Sequence, residues 1–154
     1  MKTGTLAYEI DKWSNLVGKL ILAFGEIELA TSKLWEVHFA GKEFPNNFKD
    51  RANKLIGKLK AEGAKGINGE DPVNMLISAR ALADKRNTIA HNPMQTQVFH
   101  DRAKDDYHIE LAITSDKNDH YIKESDLEIL HEEAAIIGRQ PFIFITDSVW
   151  SKNV

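Results

Sequence analysis

The residues of this chain best suited to chemistry lie together in one short segment, residues 85–93. Within six positions the segment carries an arginine (Arg86), an amide (Asn87) and a histidine (His91). Arginine neutralises phosphate charge and histidine transfers protons near neutral pH, and cleavage of RNA without a metal ion needs both functions. A single histidine at the end of a helix also fits a simple cap on the helix dipole, so the chemical interpretation depends on the combination.

Helical geometry separates the arginine from the histidine. A helix turns about 100° and rises about 1.5 Å per residue, so Arg86 and His91 lie about 140° apart around the axis and about 7.5 Å apart along it. Arg86 is in line with the apolar residues Leu82 and Ile89, and a buried arginine needs a partner or an anion. Glu28, beside the apolar stripe of the first predicted helix, is a candidate for a structural ion pair. For a catalytic site, either the last turn is distorted or residues from two chains combine.

Apolar residues at helical spacing predict a long first helix and a shorter second one. The first covers about residues 6–39, as one helix bent near Gly25 or as two helices. The second is capped by Asn46 or Asn47 and ends at Gly63.

The segment 85–93 forms the end of a third predicted helix. That helix opens with Asp71 as the N-cap and Pro72 at the first helical position, and an Asn-Pro pair stops it. A β-hairpin insertion covers about residues 96–114, and its second arm alternates apolar and polar side chains.

The last predicted helix starts at a capping box that begins at Ser125 and ends at Glu128. Gly138 and Pro141 are expected to break or kink it, and residues 142–145 fit a helix or a strand equally well. These elements together predict one mainly α-helical domain over residues 1–154, with about four to five helices and a small hairpin.

Positive charge is concentrated on the second predicted helix, where Arg51, Lys54 and Lys58 share one shoulder. Charge runs of this kind are usually solvated faces. The functional alternative is a surface that follows an RNA backbone through contacts with its phosphates. Both interpretations stay open, and the three residues are the RNA-binding candidates.

The composition is that of a folded protein with a single domain. The chain has 154 residues, of which 42% are hydrophobic and 28% are charged, enough for one normal core. It has no cysteine, which excludes disulfides and Cys-based zinc sites and makes the cytoplasm the expected location. The apolar runs are too short for a membrane span. The net charge of −3 argues against broad coating of nucleic acid but permits a local basic site.

Other catalytic and metal-binding patterns are missing from the sequence. It holds no HExxH, P-loop, GxGxxG or GxSxG motif, and its other histidines lack the spacing of zinc ligands. We therefore expect neither a metal nor a cofactor.

The pattern Arg-Asn-x-x-x-His, late in the third helix of a small helical domain, resembles the motif of the HEPN superfamily (the higher eukaryotes and prokaryotes nucleotide-binding domain). That motif is an arginine, a polar residue, three variable residues and a histidine, and Arg86, Asn87 and His91 take those positions here. The long first helix, with its residues 24–28, and the capped last helix add to the resemblance. It implies a HEPN-like helical bundle in which the hairpin is an elaboration.

The resemblance implies a metal-independent endoribonuclease that leaves 2′,3′-cyclic phosphate and 5′-hydroxyl ends. Family members commonly form homodimers in which two motifs face one RNA cleft. By this likeness His91 would be the general base for the ribose 2′-hydroxyl, and a second histidine would protonate the leaving 5′-oxygen. Arg86 would stabilise the scissile phosphate, and Asn87 would orient His91 or hold the phosphate. Glu28 and Lys85 would be supporting residues.

The same resemblance implies a biological setting and an alternative. Family members act as toxins of toxin–antitoxin pairs or as abortive-infection effectors against phage, and some pair with a nucleotidyltransferase. The expected partners are RNA, a second copy of the chain, and an antitoxin or nucleotidyltransferase, with no membrane association. The alternative is a non-catalytic HEPN-like module that binds a nucleotide or a protein. Burial of Arg86 and His91 with Glu28 would favour the module, and a groove between two chains would favour the nuclease.

Overall fold

The computed structural model describes the backbone of residues 3–64, 71–114 and 121–151, and the side chains of residues 9–64, 71–114 and 121–139. In this part of the chain four helices and three strands follow one another in the order α1 (Thr3–His38), α2 (Phe48–Glu62), α3 (Pro72–His91), β1 (Met94–Asp101), β2 (Asp106–Thr114), β3 (Tyr121–Ile122) and α4 (Glu124–Ser151). The predicted class, mainly α-helical with a small hairpin, is confirmed. None of the described helices is both long and apolar enough to cross a membrane.

The long first helix is a single element around which the others pack. Of the two alternatives for residues 6–39, the structure has one continuous helix, and Gly25 does not interrupt it. Its buried face includes Trp13, Leu20, Phe24 and Ile27, which belong to the main hydrophobic core together with residues of every other helix. The most extensive helix contact of the fold joins α1 to α4.

Local capping interactions determine where α2 and α3 begin. The side chain of Asn47 accepts a hydrogen bond from the Lys49 amide at 2.8 Å, and Gly63 ends α2 in the left-handed conformation, with φ 61°. The carboxylate of Asp71 accepts a hydrogen bond from the Val73 amide at 2.9 Å at the start of α3. Both predicted starts are confirmed, because these signals are contained in three or four neighbouring residues.

The hairpin is longer than predicted and belongs to a three-stranded antiparallel sheet of order β1-β2-β3. Its register pairs Met94 with Ile113 at the base and Asp101 with Asp106 at the tip. The short strand β3 pairs Ile122 with Ile113, and both side chains enter the main core. The base of the hairpin is therefore anchored beside the end of α3.

Of the break or kink predicted at Gly138 and Pro141, the break is wrong, because α4 continues through both residues. Gly138 is instead a point of close approach between helices. A Cβ atom at this position would lie 3.2 Å from Glu26 Oε2 and 3.4 Å from the Ala23 carbonyl oxygen of α1. The close approach of α1 at Gly138 gives a packing role to a residue whose helix propensity is low.

The start of α4 also differs from the predicted capping box. The helix begins at Glu124, and the backbone amide of Lys123 donates a hydrogen bond to Asp126 Oδ2 at 2.8 Å. This contact uses the same geometry as a capping box but lies two residues earlier in the chain than the one predicted from Ser125.

Candidate functional site

Arg86 is held against α1 by an ion pair and an aromatic ring. Its Nη2 donates a hydrogen bond to Glu28 Oε1 at 2.7 Å. Its guanidinium carbon lies 4.7 Å from the centre of the Phe24 ring, within the range of cation–π attraction. The side chain of Arg86 is 24% exposed, so part of it remains open to solvent. The ion pair between Arg86 and Glu28 that the sequence offered is therefore present.

A second arginine, Arg51, lies close to the same carboxylate. It is only 5% exposed, and it donates hydrogen bonds to Thr31 Oγ1 at 3.2 Å and to the Pro45 carbonyl oxygen at 3.4 Å. Burial lowers the pKa of the Arg51 guanidinium below its ordinary value, and the negative charge of Glu28 acts in the opposite direction. Glu28 is thus electrostatically linked to both arginines, and we call Glu28, Arg51 and Arg86 the arginine cluster.

The arginine cluster carries one net positive charge beside apolar rings. The Arg51 guanidinium lies 4.5 Å from the centre of the Phe44 ring and 5.3 Å from that of Phe48. Charges next to apolar groups interact more strongly than charges surrounded by water, because the local dielectric constant is lower. The cluster is therefore suited to attract an anion such as a phosphate, and Arg86 is its more accessible arginine.

The three basic residues predicted to share one solvated shoulder of α2 have different environments. Arg51 is buried in the arginine cluster. Lys58 forms an ion pair with Glu62 at 3.0 Å, and the exposed Lys54 has its Nζ atom 5.9 Å from the Trp35 ring centre. The prediction of a common shoulder is wrong for Arg51, and a continuous basic surface does not follow from the remaining two lysines.

Sequence reasoning placed Arg51 on the surface and did not single out Phe24, although a signal for the buried position of each was present. Arg51 lies three residues after Phe48 and four before Leu55, which are both buried, so helical spacing places it on the buried face of α2. Phe24 lies four residues before Glu28 and therefore one turn from it on α1. Only the packing of α1, α2 and α3 shows that Arg51 lies near the charge of Glu28 and that Phe24 lies near the charge of Arg86.

His91 and Asn87 are exposed on the last turns of α3. Neither side chain forms a hydrogen bond or an ion pair with any residue that the structure describes. The Asn92 amide donates a hydrogen bond to the Thr88 carbonyl at 3.1 Å, so α3 stays helical up to His91. Distortion of the last turn therefore does not bring His91 to Arg86 within one chain.

Lys85 lies apart from the arginine cluster. It lines a groove of about 820 Å³ between α3 and α4, together with acidic residues that include Asp84 and Glu133. Its supporting role stays a prediction, because its side chain forms no hydrogen bond or ion pair with Glu28 or any other described residue. Within the described ranges, no group of three His, Asp or Glu side chains is arranged to hold a metal ion.

Comparison of the chain with protein-family models, with curated protein sequences and with solved structures gave no match. The resemblance to the HEPN superfamily therefore rests on the residues of the chain itself. These are above all Arg86, Asn87 and His91, which the structure places on α3.

Proposed function

We propose that this protein is an endoribonuclease that cleaves RNA without a metal ion and acts as a homodimer. The observation that carries the proposal is the contrast between two residues of α3. Arg86 belongs to a cluster with net positive charge, whereas His91 is exposed and has no partner in the described part of the chain. A histidine without internal hydrogen bonds keeps both ring nitrogens available for proton transfer.

The proposed reaction is a transfer of the phosphate to the neighbouring 2′-oxygen. His91 takes the proton of the ribose 2′-hydroxyl, and the 2′-oxygen attacks the adjacent phosphorus. The bond from phosphorus to the 5′-oxygen breaks, and that oxygen receives a proton from the partner subunit's His91. Arg86 neutralises the charge that develops on the phosphate, while Asn87 holds the phosphate or orients His91. The products are a 2′,3′-cyclic phosphate and a 5′-hydroxyl.

A homodimer supplies what one chain lacks. Five residues of regular helix place Arg86 and His91 about 140° apart around α3, so one phosphate does not reach both from the same chain. The reaction also needs an acid and a base at the same time, and a two-fold arrangement brings two copies of the same histidine to one site.

The proposal is tested by incubating the purified protein with a mixture of end-labelled RNAs in buffer with EDTA. We expect cleavage, with product ends that mass spectrometry identifies as cyclic phosphates. His91→Ala is expected to reduce the rate at least about 100-fold, the usual contribution of general acid–base catalysis. His108→Ala removes another exposed histidine, on β2, and serves as the matched control. Absence of cleavage by the wild type at high protein concentration would contradict the proposal.

A non-catalytic module that binds a nucleotide or a protein is the second candidate. The ion pair between Arg86 and Glu28 favours it, because joining α3 to α1 is a sufficient structural role for this arginine. Retention of labelled RNA without cleavage, with equal affinity in the wild type and in His91→Ala, would support this alternative.

The proposed biological role is that of a toxin in a toxin–antitoxin pair or an effector of phage defence in the cytoplasm. An antitoxin or a nucleotidyltransferase would then keep the nuclease inactive. Induced expression of the wild type is expected to arrest growth and to degrade cellular RNA, while equal expression of His91→Ala is not. Normal growth at high levels of the folded wild type would count against this role.

A further inference from the structure

The solvent-facing side of α1 carries an apolar stripe without a partner among the described residues. It consists of Gly18, Leu22, Gly25 and Leu29, which follow one another at steps of four, three and four residues. Leu22 is 74% exposed and Leu29 is 49% exposed. No described atom outside the local helix lies within 4 Å of a Cβ built on either glycine. We call these four residues the α1 stripe.

The glycines of the stripe have no explanation within the described fold. Neither has a positive φ, so the backbone does not require glycine at these positions. Glycine also weakens a helix relative to alanine. Gly138 shows where a glycine lies at a helix contact in this protein, since a Cβ there would lie only 3.2 to 3.4 Å from atoms of α1. At Gly18 and Gly25 no described residue takes the corresponding place, which leaves room for a second helix.

We propose that the α1 stripe is a homodimer interface in which two copies of α1 pack antiparallel. A two-fold axis that runs between the two helices, at the level of residues 23 and 24, places Leu22 opposite the partner's Gly25 and Leu29 opposite the partner's Gly18. Each leucine then fills the space beside a glycine, and the alternating steps of four and three keep the stripe facing the second helix. A parallel pair would place leucine against leucine and leave voids between the glycines.

Charges beside the stripe fit the antiparallel arrangement. Lys19 and Glu26 are exposed on one flank of the stripe and form no ion pair with a described residue. In an antiparallel pair the equivalent flanks of the two helices face each other. Lys19 therefore lies beside the partner's Glu26, and the two-fold axis repeats this attraction.

The same axis places the two arginine clusters on one side of the dimer. Glu28 adjoins the flank of the stripe opposite to Lys19 and Glu26. A two-fold axis perpendicular to both helices keeps the two Glu28 flanks on the same side of the dimer. Glu28 lies between four and five residues from the axis, about 7 Å along the helix. This arrangement suits two Arg86 residues that serve one RNA. That functional consequence rests on the proposed nuclease activity, whereas the dimer itself does not.

The chain has no cysteine, so introduced thiols can identify the register. We expect a mixture of Gly18→Cys and Leu29→Cys proteins to form a mixed disulfide dimer on mild oxidation. Leu29→Cys alone is expected to stay uncrosslinked, because its two thiols would lie about 16 Å apart along the antiparallel helices. Efficient crosslinking of Leu29→Cys with itself would indicate a parallel pair and would overturn the proposal.

The oligomeric state in solution gives the second test, by analytical ultracentrifugation. Gly25→Leu places a side chain where the partner's Leu22 packs and should convert the dimer to monomer. Gly57→Leu is the matched control, because Gly57 is a helical glycine with equally open surroundings on α2. Lys19→Glu should weaken the dimer about tenfold, and adding Glu26→Lys should restore it.

A wild type that is monomeric at about 500 µM would overturn the proposed interface, because this concentration is well above the dissociation constant expected even for a small specific interface. A dimer that Gly25→Leu leaves intact would do the same. Both results are independent of RNA cleavage, so failure of the interface and failure of the nuclease activity can be told apart. A dimeric but inactive protein would retain the interface and count only against the proposed function.

Discussion

Arg86 Nη2 lies 2.7 Å from Glu28 Oε1, and this contact joins α3 to α1. The same carboxylate also opposes the effect of burial on the pKa of Arg51, so one negative charge serves two arginines. Loss of the Glu28 carboxylate distinguishes two possible roles of Arg86. If Arg86 only holds α3 to α1, this loss removes its structural function. If Arg86 also binds phosphate, it keeps the positive charge that this binding requires.

Neutralising each partner separately therefore distinguishes the two roles of Arg86. We expect Glu28→Gln to retain RNA cleavage within about tenfold and Arg86→Gln to lose at least about 100-fold, since only the second removes charge from the phosphate. Urea unfolding of both variants and of the double variant should give a coupling energy of about 1 kcal/mol, because both side chains are partly exposed. Equal loss of cleavage in the two single variants, with both still folded, would assign Arg86 a purely structural role.

Mixed dimers test whether the site needs His91 from both chains. If one copy acts as the base and the other as the acid, only dimers with two wild-type chains are fully active. An equal mixture of wild type and His91→Ala, exchanged to equilibrium, should then retain about one quarter of the activity. Two independent sites would instead retain one half. His91 is exposed and without a described partner, so the substitution should change the unfolding free energy by no more than about 1 kcal/mol.

The parts of the fold that were predictable from the sequence are those with local causes. The starts of α2 and α3 depend on Asn47 and Asp71, whose side chains bind amides two or three residues away. The strand β3 was not predicted, because two residues carry no periodic pattern and the strand exists through its pairing with β2. Continuation of α4 past Gly138 depends on packing against α1, which lies more than one hundred residues away in the chain.

The site shows the same division between local and long-range causes. Arg86 and Glu28 could be paired from the sequence, because each lies on or beside an apolar stripe and burial of an arginine requires a partner. Arg51 was expected on an exposed shoulder of α2, either solvated or in contact with RNA, although its spacing from Phe48 and Leu55 places it inside. For Arg51, helical spacing predicts burial better than charge predicts exposure, because aromatic rings and a hydroxyl can surround a guanidinium.

Replacing Arg51 should show that its role is to pack rather than to bind RNA. Arg51→Ala removes the group between the Phe44 and Phe48 rings and is expected to destabilise the protein by about 2 to 3 kcal/mol. Arg51→Met fills similar space without needing hydrogen-bond partners and should cost less than about 1 kcal/mol. Urea unfolding measures both, with Lys54→Ala as an exposed control. Equal destabilisation by alanine and methionine would mean that the charge itself is required.

The carboxylate at the end of α2 should make stability depend on pH. Glu62 lies 3.0 Å from Lys58 Nζ and 3.0 Å from His38 Nδ1. The hydrogen bond from Lys58 is the main cause that lowers the pKa of Glu62 below its ordinary value of 4.5. Burial opposes it, and the charge of His38 lowers the pKa further. The folded state therefore binds this proton less readily than the unfolded state. The resulting stabilisation is present above the unfolded pKa and is lost as the pH falls through the folded pKa.

Glu62→Gln should accordingly be less stable than the wild type near neutral pH. The difference should shrink as the pH falls below about 4.5 and should be lost once the pH is below the lowered pKa of the folded state. Because Glu62 is exposed, the difference is expected to stay below about 1 kcal/mol and to fall further in high salt. Glu43→Gln, which removes an exposed carboxylate without a described partner, is the matched control. Chemical unfolding of the three proteins across this pH range measures the effect. A difference that persists unchanged at pH 3 would show that Glu62 acts through packing and not through its charge.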